Sequence, residues 1–343
     1  MEAQPIMGGA SHLPPIRYLS AEAVSAVMPP IEETLHLAAK TMEALATPGL
    51  AELPSKIGIH PRPDGSFAHA MPAHLRGADP GGAEDLVGMK WIAGFPTNNT
   101  LGLPALNAIV VLNDPRTGVP IAVLDGGPIT AARTAAVSGV AISLFARVPS
   151  DPEVRAAILG AGVQGRSHLP VLGHLLPGVR VAIFDRHPER AAALAEHARG
   201  IPGIRRAEIA PTARDAVEGA DVVLTAASFG PVRQVMTNDW LSAASLVVPV
   251  DYATYCAAEV ARDASLFVVD DRAQFLAHRA AGLFDDYPDP SATLGEVLRA
   301  RRPRPDGRVV VTHLGVGLAD IVFADAILKT AEQRDVGVLL PRH

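Results

Sequence analysis

Three closely spaced glycines, Gly160, Gly162 and Gly165, follow the apolar run AAIL and precede a stretch with helical spacing. In a turn of this kind the first glycine permits a sharp bend. The second lets the backbone approach a pyrophosphate, and the third allows the helix to pack closely on the strand. The free N–H groups and the dipole of the helix then face the phosphates. The pattern predicts a dinucleotide site whose phosphate-binding turn includes Val163 and Gln164.

An acidic residue ends the next apolar run, residues 181–184. Asp185 lies at the offset of about 20 residues expected for a carboxylate that binds the ribose 2′-hydroxyl. A carboxylate at this position repels a 2′-phosphate, so the sequence favours NAD over NADP. Arg186 follows directly and weakens that preference, which leaves NADP possible. Ala226, after a later apolar run, is assigned to the same cofactor site.

Apolar runs and helical stretches alternate through the part of the chain that contains the glycines. The runs are VRAAILG, VAIFD, DVVLTAA, SLVVPVD, SLFVVDD and RVVVTHLG. Continuous apolar strands with helices between them indicate a parallel sheet that is covered on both faces. This half of the chain is therefore predicted to be a Rossmann dinucleotide-binding domain.

The first part of the chain has a different texture. Residues 20–45 have helical spacing, with Ser20 as a plausible N-cap and a break at Pro29-Pro30. Between residues 55 and 125, short β-type runs alternate with turn signals, and residues 113–118 form a strong hairpin turn. This pattern predicts an antiparallel meander. The fold class is therefore α/β, with a Rossmann domain and a second α+β domain.

Composition excludes several classes of protein. The 343 residues suffice for two lobes, and 48% of them are hydrophobic. Basic residues are scattered, the net charge is −6 and aromatics are only 4%, so no nucleic-acid partner is expected. No apolar run approaches the ~20 residues that span a bilayer. Residues 1–10 lack a signal-peptide pattern.

Cysteine and histidine usage bears on redox compartment and metal binding. Cys256 is the only cysteine, which excludes an intrachain disulfide and a zinc site built from cysteines. A single thiol fits a reducing compartment, and we expect a cytoplasmic protein. The spacing of His60, His69, His74 and His313 matches no ligand motif, so no metal is predicted.

Five motifs, of which the glycine turn is one, follow one another in a distinctive order. They are GMKW at 88–91, FPTNN at 95–99, ITAARTAA at 129–136, GAGVQ at 160–164 and GVGLAD at 315–320. In this order the chain closely resembles the ornithine cyclodeaminase/μ-crystallin family, over roughly residues 53–340. The combination of the R-T-A-A element with the G-x-G-x-Q turn is fairly specific.

The resemblance implies a two-lobed subunit. Residues 1–134, completed by 314–343, would form a substrate-binding and dimerisation domain that contains the meander. Residues 135–313 would form the Rossmann NAD-binding domain. The resemblance further implies a homodimer and an active site in the cleft between the lobes, where the nicotinamide meets a small amino acid or cyclic imine.

The resemblance also implies a binding site for the substrate carboxylate. Lys90 matches a catalytic lysine of the family that contacts this carboxylate, and Arg133 matches an arginine that pairs with it. A guanidinium can hold a carboxylate by two parallel hydrogen bonds, which orients the Cα–H bond. Lys56 stands where many members have arginine, so it keeps the charge without the two-pronged geometry. Thr134 is expected at the cofactor phosphate or ribose.

A proton-handling group is implied as well. Asp251 matches the catalytic aspartate of the cyclodeaminases, and it ends a predicted strand, where open α/β sheets bind ligands. Leu314 matches an apolar residue near the substrate side chain. Asn107 stands where the ornithine enzyme has threonine, and the run YATYCAAE after Asp251 departs from the usual proline and glutamate. These departures leave the substrate open.

Three functions remain open. The first is an NAD-dependent ornithine cyclodeaminase-like ammonia-lyase, which removes the α-hydride, closes a ring with loss of ammonia, and returns the hydride. The second is an NAD(P)H-dependent imine reductase or an alanine dehydrogenase-like enzyme with net turnover of the cofactor. The third is a μ-crystallin-like small-molecule-binding protein, against which the retained Lys90, Arg133 and Asp251 argue.

Overall fold

The computed structural model describes residues 13–77, 85–147, 154–228 and 233–342. Their strands form two eight-stranded sheets. The strands are β1 Ile16–Leu19, β2 Ala51–Glu52, β3 Ile57–Ile59, β4 Phe67–Leu75, β5 Leu86–Gly94, β6 Leu106–Asn113, β7 Pro120–Asp125, β8 Arg155–Leu159, β9 Val179–Phe184, β10 Ile204–Ile209, β11 Val222–Thr225, β12 Leu246–Pro249, β13 Leu266–Val269, β14 Ala292–Thr293, β15 Val309–Thr312 and β16 Val338–Leu340. The helices are α1 Ala21–Ala26, α2 Ile31–Leu45, α3 Gly126–Phe145, α4 Val163–Leu175, α5 Pro188–Ala198, α6 Ala213–Val217, α7 Ala258–Arg262, α8 Arg272–Ala280, α9 Leu294–Ala300 and α10 Gly317–Arg334.

The first sheet has the order β16-β1-β7-β6-β5-β4-β2, and β3 also pairs with β4. Strands β4 to β7 are antiparallel neighbours in chain order, so the predicted meander is confirmed. Successive side chains on a strand point to opposite faces. We call the face that packs against α3 and α10 the inner face; it carries Met71, Lys90 and Val110, which are opposite one another in register.

The second sheet is parallel throughout and has the order β10-β9-β8-β11-β12-β15-β13-β14. From β8 the chain builds outward in one direction through β9 and β10, and then in the other from β11. This reversal is the topological switch point of a Rossmann fold, where the carboxyl ends of the strands leave a crevice for ligands. The predicted fold class is confirmed.

Helix α3 connects the two sheets and lies at the centre of the protein, packed against α2 and α4. By length and composition it is the one helix of the described residues that is apolar enough to cross a membrane. However, 67% of its most apolar window is buried within the protein, as in the core helix of a globular fold. It also carries Arg133 into the interior, where the guanidinium has a charged partner.

Three strands of the first sheet, β1, β2 and β16, escaped the sequence analysis. β1 lies between β7 and β16, parallel to the former and antiparallel to the latter. Its four residues are too few for a periodic signal, and its partner β16 is more than 300 residues away in the chain. Ser20, the predicted N-cap, does accept the Ala23 N–H at the start of α1. The domain boundaries at 134/135 and 313/314 remain a prediction.

Candidate active site

The glycine turn leaves no room for side chains at two of its three positions. Gly160 has φ +113°, and a Cβ there would collide with the carbonyl group of Ala226. A Cβ on Gly165 would collide with the carbonyl of Gly160. At Gly162, by contrast, a Cβ would meet no atom within 4 Å. The free space therefore lies where the sequence motif requires a pyrophosphate to approach.

Helix α4 begins at Val163, a residue that is 69% exposed, and its N-cap Gly162 supplies no side-chain acceptor. The first N–H groups of α4 therefore point into open space, as an anion site at a helix N-terminus requires. Gln164 lies in the same turn, and its carbonyl accepts a hydrogen bond from Ser167 Oγ at 3.0 Å. The residues of the turn fit the diphosphate of a dinucleotide.

Asp185 is fixed beside the turn by two backbone groups. One carboxylate oxygen accepts the Ala161 N–H at 2.7 Å and the other accepts the His187 N–H at 2.9 Å. This position at the end of β9 fits hydrogen bonds to ribose hydroxyls and opposes a 2′-phosphate. Arg186 is exposed next to it. The predicted cofactor residues of β8, α4 and β9 thus lie in one place.

Across the cleft, two cations share one buried carboxylate. Asp320, in the first turn of α10, lies 2.7 Å from Lys90 Nζ and 3.1 Å from Arg133 Nε. Lys90 comes from the inner face of β5 and Arg133 from α3, and the side chains of all three residues are at most 8% exposed. Sequence reasoning assigned no role to Asp320, which joins three distant elements.

Burial changes the acid–base behaviour of Lys90. Desolvation, followed by repulsion from Arg133, lowers its pKa from 10.5 to about 7, although the Asp320 carboxylate opposes this shift. A buried ammonium is costly because the interior cannot replace its hydration. Lys90 can therefore exchange a proton near neutral pH, which an exposed lysine cannot do.

The loop between β15 and α10 gathers further site residues. Lys56 Nζ donates to the Leu314 carbonyl at 2.7 Å. Gly315, at φ +77°, lies against the Arg133 guanidinium, so that a Cβ there would lie 2.5 Å from Nη1. The predicted substrate residues Lys56, Lys90, Arg133 and Leu314 therefore converge around this loop.

Two residues that the sequence analysis missed hold that loop in place. Asp270 Oδ2 accepts the N–H groups of Leu314 and Gly315 at 2.9 and 2.8 Å, and Gln274 Nε2 donates to the Gly315 carbonyl at 3.2 Å. Burial raises the pKa of Asp270. Its signal in the sequence was the acid at the end of the run SLFVVDD, a position where open α/β sheets bind ligands.

The structure does not bring Asp251 to this cluster. Its carboxylate accepts Thr225 Oγ1 at 2.6 Å and the Ala227 N–H at 3.1 Å, beside the cofactor turn. Burial raises its pKa to about 7. Among the hydrogen bonds and ion pairs of the described residues, none joins Asp251 to Lys90 or Arg133. The predicted catalytic acid is held on the cofactor side of the cleft.

Asn107 also lies apart from the cluster. It is opposite Ala93 in register, which places it on the face of the first sheet away from Lys90. Its exposed amide donates to the Pro104 carbonyl at 3.0 Å. The predicted substrate contact of Asn107 thus has no support in the geometry of this chain.

Thr134, a predicted cofactor residue, is buried on α3 next to Arg133.

A buried hydrogen-bonded chain links the cofactor turn to the β15–α10 loop. His168 Nδ1 lies 2.6 Å from the Gln164 carbonyl, and Ser138 Oγ lies 2.8 Å from Nε2 of both His168 and His313. Burial lowers the pKa of His168 to about 4 and of His313 to about 3, so both rings are neutral. Since His168 donates through Nδ1, Ser138 donates to His168 and accepts from His313.

Comparison with known proteins agrees with this architecture. A sequence profile of the ornithine cyclodeaminase/mu-crystallin family matches residues 20–335. The nodulation efficiency protein NfeD of Rhizobium meliloti is 33% identical over 95% of this chain and 98% of its own length. Mouse (Mus musculus) ketimine reductase mu-crystallin is 28% identical over 90% of this chain and 96% of its own.

A solved structure extends the comparison to the fold. The Δ1-pyrroline-2-carboxylate reductase of Thermococcus litoralis, in complex with NADH and L-proline, superposes with a TM-score of 0.82 at 25% identity. The match covers 95% of this chain and 100% of the reductase. Profile, relatives and fold point the same way, and the chain belongs to the ornithine cyclodeaminase/mu-crystallin family.

Proposed function

We propose that this protein is an NAD(H)-dependent oxidoreductase that reduces the C=N bond of an α-imino acid to an amine, and catalyses the reverse oxidation. One observation carries the proposal. A buried lysine that titrates near neutral pH lies beside Arg133 and Lys56, across the cleft from a turn that fits a dinucleotide diphosphate. These groups are what carboxylate binding and proton transfer at an α-nitrogen require.

Each cation has a separate task in this proposal. Arg133, held by Asp320 through Nε, keeps its two terminal nitrogens for the substrate α-carboxylate. Lys56, the more exposed ammonium, adds a second charge at the same carboxylate. Together they orient the α-carbon, which is the main contribution that binding groups make to a hydride transfer.

Lys90 supplies the proton. In its protonated form it donates to the imine nitrogen, which makes the α-carbon electrophilic; in the oxidative direction its neutral form takes the proton back. NADH, when bound, supplies the hydride that reaches this carbon. The product amine thus gains one hydride at carbon and one proton at nitrogen. Asp320 keeps Lys90 and Arg133 in position without contacting the substrate.

Cyclodeamination is the alternative, and the position of Asp251 weighs against it. Ring closure requires a carboxylate near the distal amine, whereas both oxygens of Asp251 are engaged by Thr225 and Ala227. A pKa of about 7 would suit Asp251 to proton exchange, which keeps the alternative open to test. The family relatives reported above include two named as reductases of C=N bonds.

Net consumption of cofactor separates the two functions. The purified protein is incubated with NADH and each of Δ1-pyrroline-2-carboxylate, Δ1-piperideine-2-carboxylate, and simple 2-oxo acids with ammonia. Oxidation of NADH in proportion to amine formed supports the reductase. In parallel, L-ornithine is incubated with a trace of NAD⁺. Proline in large excess over that NAD⁺ would establish cyclodeamination and overturn the proposal.

We further propose that the protein is a homodimer formed through the outer face of the first sheet. Tyr18, Trp91 and Ile109 expose apolar surface on this face, from β1, β5 and β6. A contiguous apolar face of this kind marks an interaction surface. Light scattering on the native protein and on Trp91→Glu tests this, because the charge should yield monomers.

A further inference from the structure

We propose that the substrate of this site carries a second carboxylate on its side chain, bound by His69 and His278 next to the α-carboxylate ligand Lys56. The inference rests on the proposed function and names the substrate class. It concerns the part of the cleft that lies beyond the α-carboxylate site, where three elements contribute bases.

The register of the first sheet places these bases on one face. Gly58 of β3 is opposite His69 of β4, and Met71, two residues further on, is opposite Lys90 of β5. His69 therefore shares the inner face with Lys90. Lys56 and His60 border β3 on either side, two residues from Gly58, and both act electrostatically on His69.

Gly58 provides the space that His69 occupies. A Cβ at this position would lie 2.8 Å from Cδ2 of the imidazole. The ring stacks on Phe67 with centroids 4.6 Å apart. Within the described parts of the chain, neither nitrogen of His69 has a hydrogen-bond partner. A half-buried imidazole fixed by packing alone is available to a ligand.

His278 approaches from the second lobe. On α8, its Nδ1 lies 2.8 Å from the Gln274 carbonyl, so Nδ1 carries the hydrogen and Nε2 remains free for a ligand. Its ring lies 5.7 Å from that of Tyr252. Because Gln274 also donates to the Gly315 carbonyl, the helix turn that carries His278 is attached to the loop that Lys56 contacts.

The charged groups that act on His69 are all bases. After burial, Lys56, His278, His60 and Lys90 lower its pKa to about 4. Burial and Lys56 likewise lower the pKa of His278. Such a cluster repels a further cation, whereas a carboxylate within it would accept hydrogen bonds and favour protonation of the rings.

Three carboxylates near this region, among the residues that the structure describes, are already engaged. Asp320 binds Lys90 and Arg133, Asp270 accepts the two amides of the β15–α10 loop, and Asp271 caps α8 by accepting the Gln274 N–H. The distal ammonium of a diamino acid would therefore find bases where it needs an acid. An anionic side chain finds the donors it needs.

The test compares imines formed in place from 2-oxo acids and ammonia. NADH oxidation is measured with oxaloacetate and 2-oxoglutarate, which carry a side-chain carboxylate, and with pyruvate and 2-oxobutanoate, which do not. We expect a higher kcat/KM for at least one acidic imine, by about tenfold or more, the usual worth of a charge-assisted hydrogen bond.

Variants locate the effect. His69→Gln should lower kcat/KM for the acidic imine about tenfold, mainly through KM, and leave the pyruvate imine unchanged. His278→Gln should act in the same direction and provides a second measurement if His69→Gln does not fold. His74→Gln is the matched control, because His74 lies on the same strand but on its other face. His74→Gln should leave kcat/KM unchanged for both the acidic imine and the pyruvate imine.

The outcomes are distinct. Equal or better reduction of the neutral imines, or equal loss with both substrate classes in His69→Gln, overturns the second-carboxylate site while leaving imine reduction intact. If only the cyclic imines oxidise NADH, the second-carboxylate site is likewise overturned and imine reduction stands. If none of these imines oxidises NADH, the proposed function itself is wrong, and the substrate class falls with it.

Discussion

The two sides of the cleft are built in different ways. The cofactor side is mostly backbone: one turn between Gly160 and Gly165 and the open first turn of α4, with one carboxylate, Asp185, held by two N–H groups. The substrate side consists of side chains from β5, α3, α10 and the residue before β3, which meet at Asp320 and the loop after β15. One side is local in sequence and the other is not.

This difference predicts how each side fails. The diphosphate part of the cofactor site is sensitive to added atoms and insensitive to side-chain charge, since its donors are backbone N–H groups. A site built from buried ions depends on the balance among them, because an unpaired buried charge costs far more than a lost surface contact. A side chain added at Gly162 should therefore weaken cofactor binding and leave the free energy of unfolding nearly unchanged. A charge removed from the buried ions of the substrate side should lower the free energy of unfolding.

Asp320→Asn should have the largest effect. It removes the common partner of Lys90 and Arg133 and leaves two buried cations side by side. We expect a loss of about 3–5 kcal/mol in the free energy of unfolding, as for other broken buried pairs, with loss of activity. Urea denaturation at pH 6.5, where much of Lys90 is protonated, measures the loss.

Asp325→Asn is the control for this variant. Asp325 lies on the same helix and pairs with the exposed Lys329, so its loss should cost less than about 1 kcal/mol. A similar cost for Asp320→Asn and Asp325→Asn would show that the buried ion cluster is not essential to the substrate lobe.

Gly162→Val should impair cofactor binding and not stability. Its Cβ meets no protein atom within 4 Å, so the free energy of unfolding should change little. The side chain would occupy the space of the pyrophosphate, and we expect the Kd for NADH to rise roughly a hundredfold, or about 2.7 kcal/mol. Gly160→Ala, which forces a Cβ against Ala226 at a positive φ, should instead destabilise the fold. Retained NADH affinity in Gly162→Val would place the cofactor elsewhere.

The pH dependence should follow Lys90. Reduction requires its protonated form, and its folded pKa is about 7. As pH rises through 7 that form is lost, so kcat/KM for imine reduction should fall, approaching about tenfold per unit at high pH. Oxidation of the amine requires the neutral form and should rise through the same range before levelling. Parallel profiles in the two directions would contradict the assignment of Lys90 as the proton donor.

Asp185→Asn should produce the smallest effect. It removes the negative charge that opposes a 2′-phosphate while keeping an acceptor for the Ala161 N–H. We expect the preference for NADH over NADPH, measured as the ratio of kcat/KM values, to fall about fivefold, or roughly 1 kcal/mol. Stability should be unchanged. An unaltered ratio would mean that Arg186 or another group sets the cofactor preference.

The same contrast explains what the sequence could predict. The glycine turn and Asp185 are consecutive or nearly so, and their spacing follows from local geometry, so the motif locates them. Asp320 lies about 190 and 230 residues from its partners Arg133 and Lys90. Its one local signal is an acid among the apolar residues of GLADIVFA, which marks a buried charge without naming its partner.

The direction of a side chain was the other property that the sequence could not predict. Asp251 was predicted to end a strand, but β12 ends two residues earlier, at Pro249. Tyr252 then adopts φ +58°, and the Asp251 carboxylate contacts β11 instead of the substrate side. For His69, alternation along β4 separates it from His74, yet only the packing of α3 and α10 decides which face is the inner one. Neither property is encoded in a short pattern.

The account makes one central claim: NADH binds at the glycine turn, and the chemistry at the α-carbon depends on Lys90 across the cleft. Lys90→Met tests it most directly, because methionine keeps much of the buried volume and removes the proton donor. The Kd for NADH, by fluorescence titration, and kcat/KM for the best imine are measured on one preparation. The account predicts an NADH Kd within twofold of the native protein and a loss of at least about a hundredfold in imine reduction. Imine reduction at the native rate, with NADH bound, would contradict it.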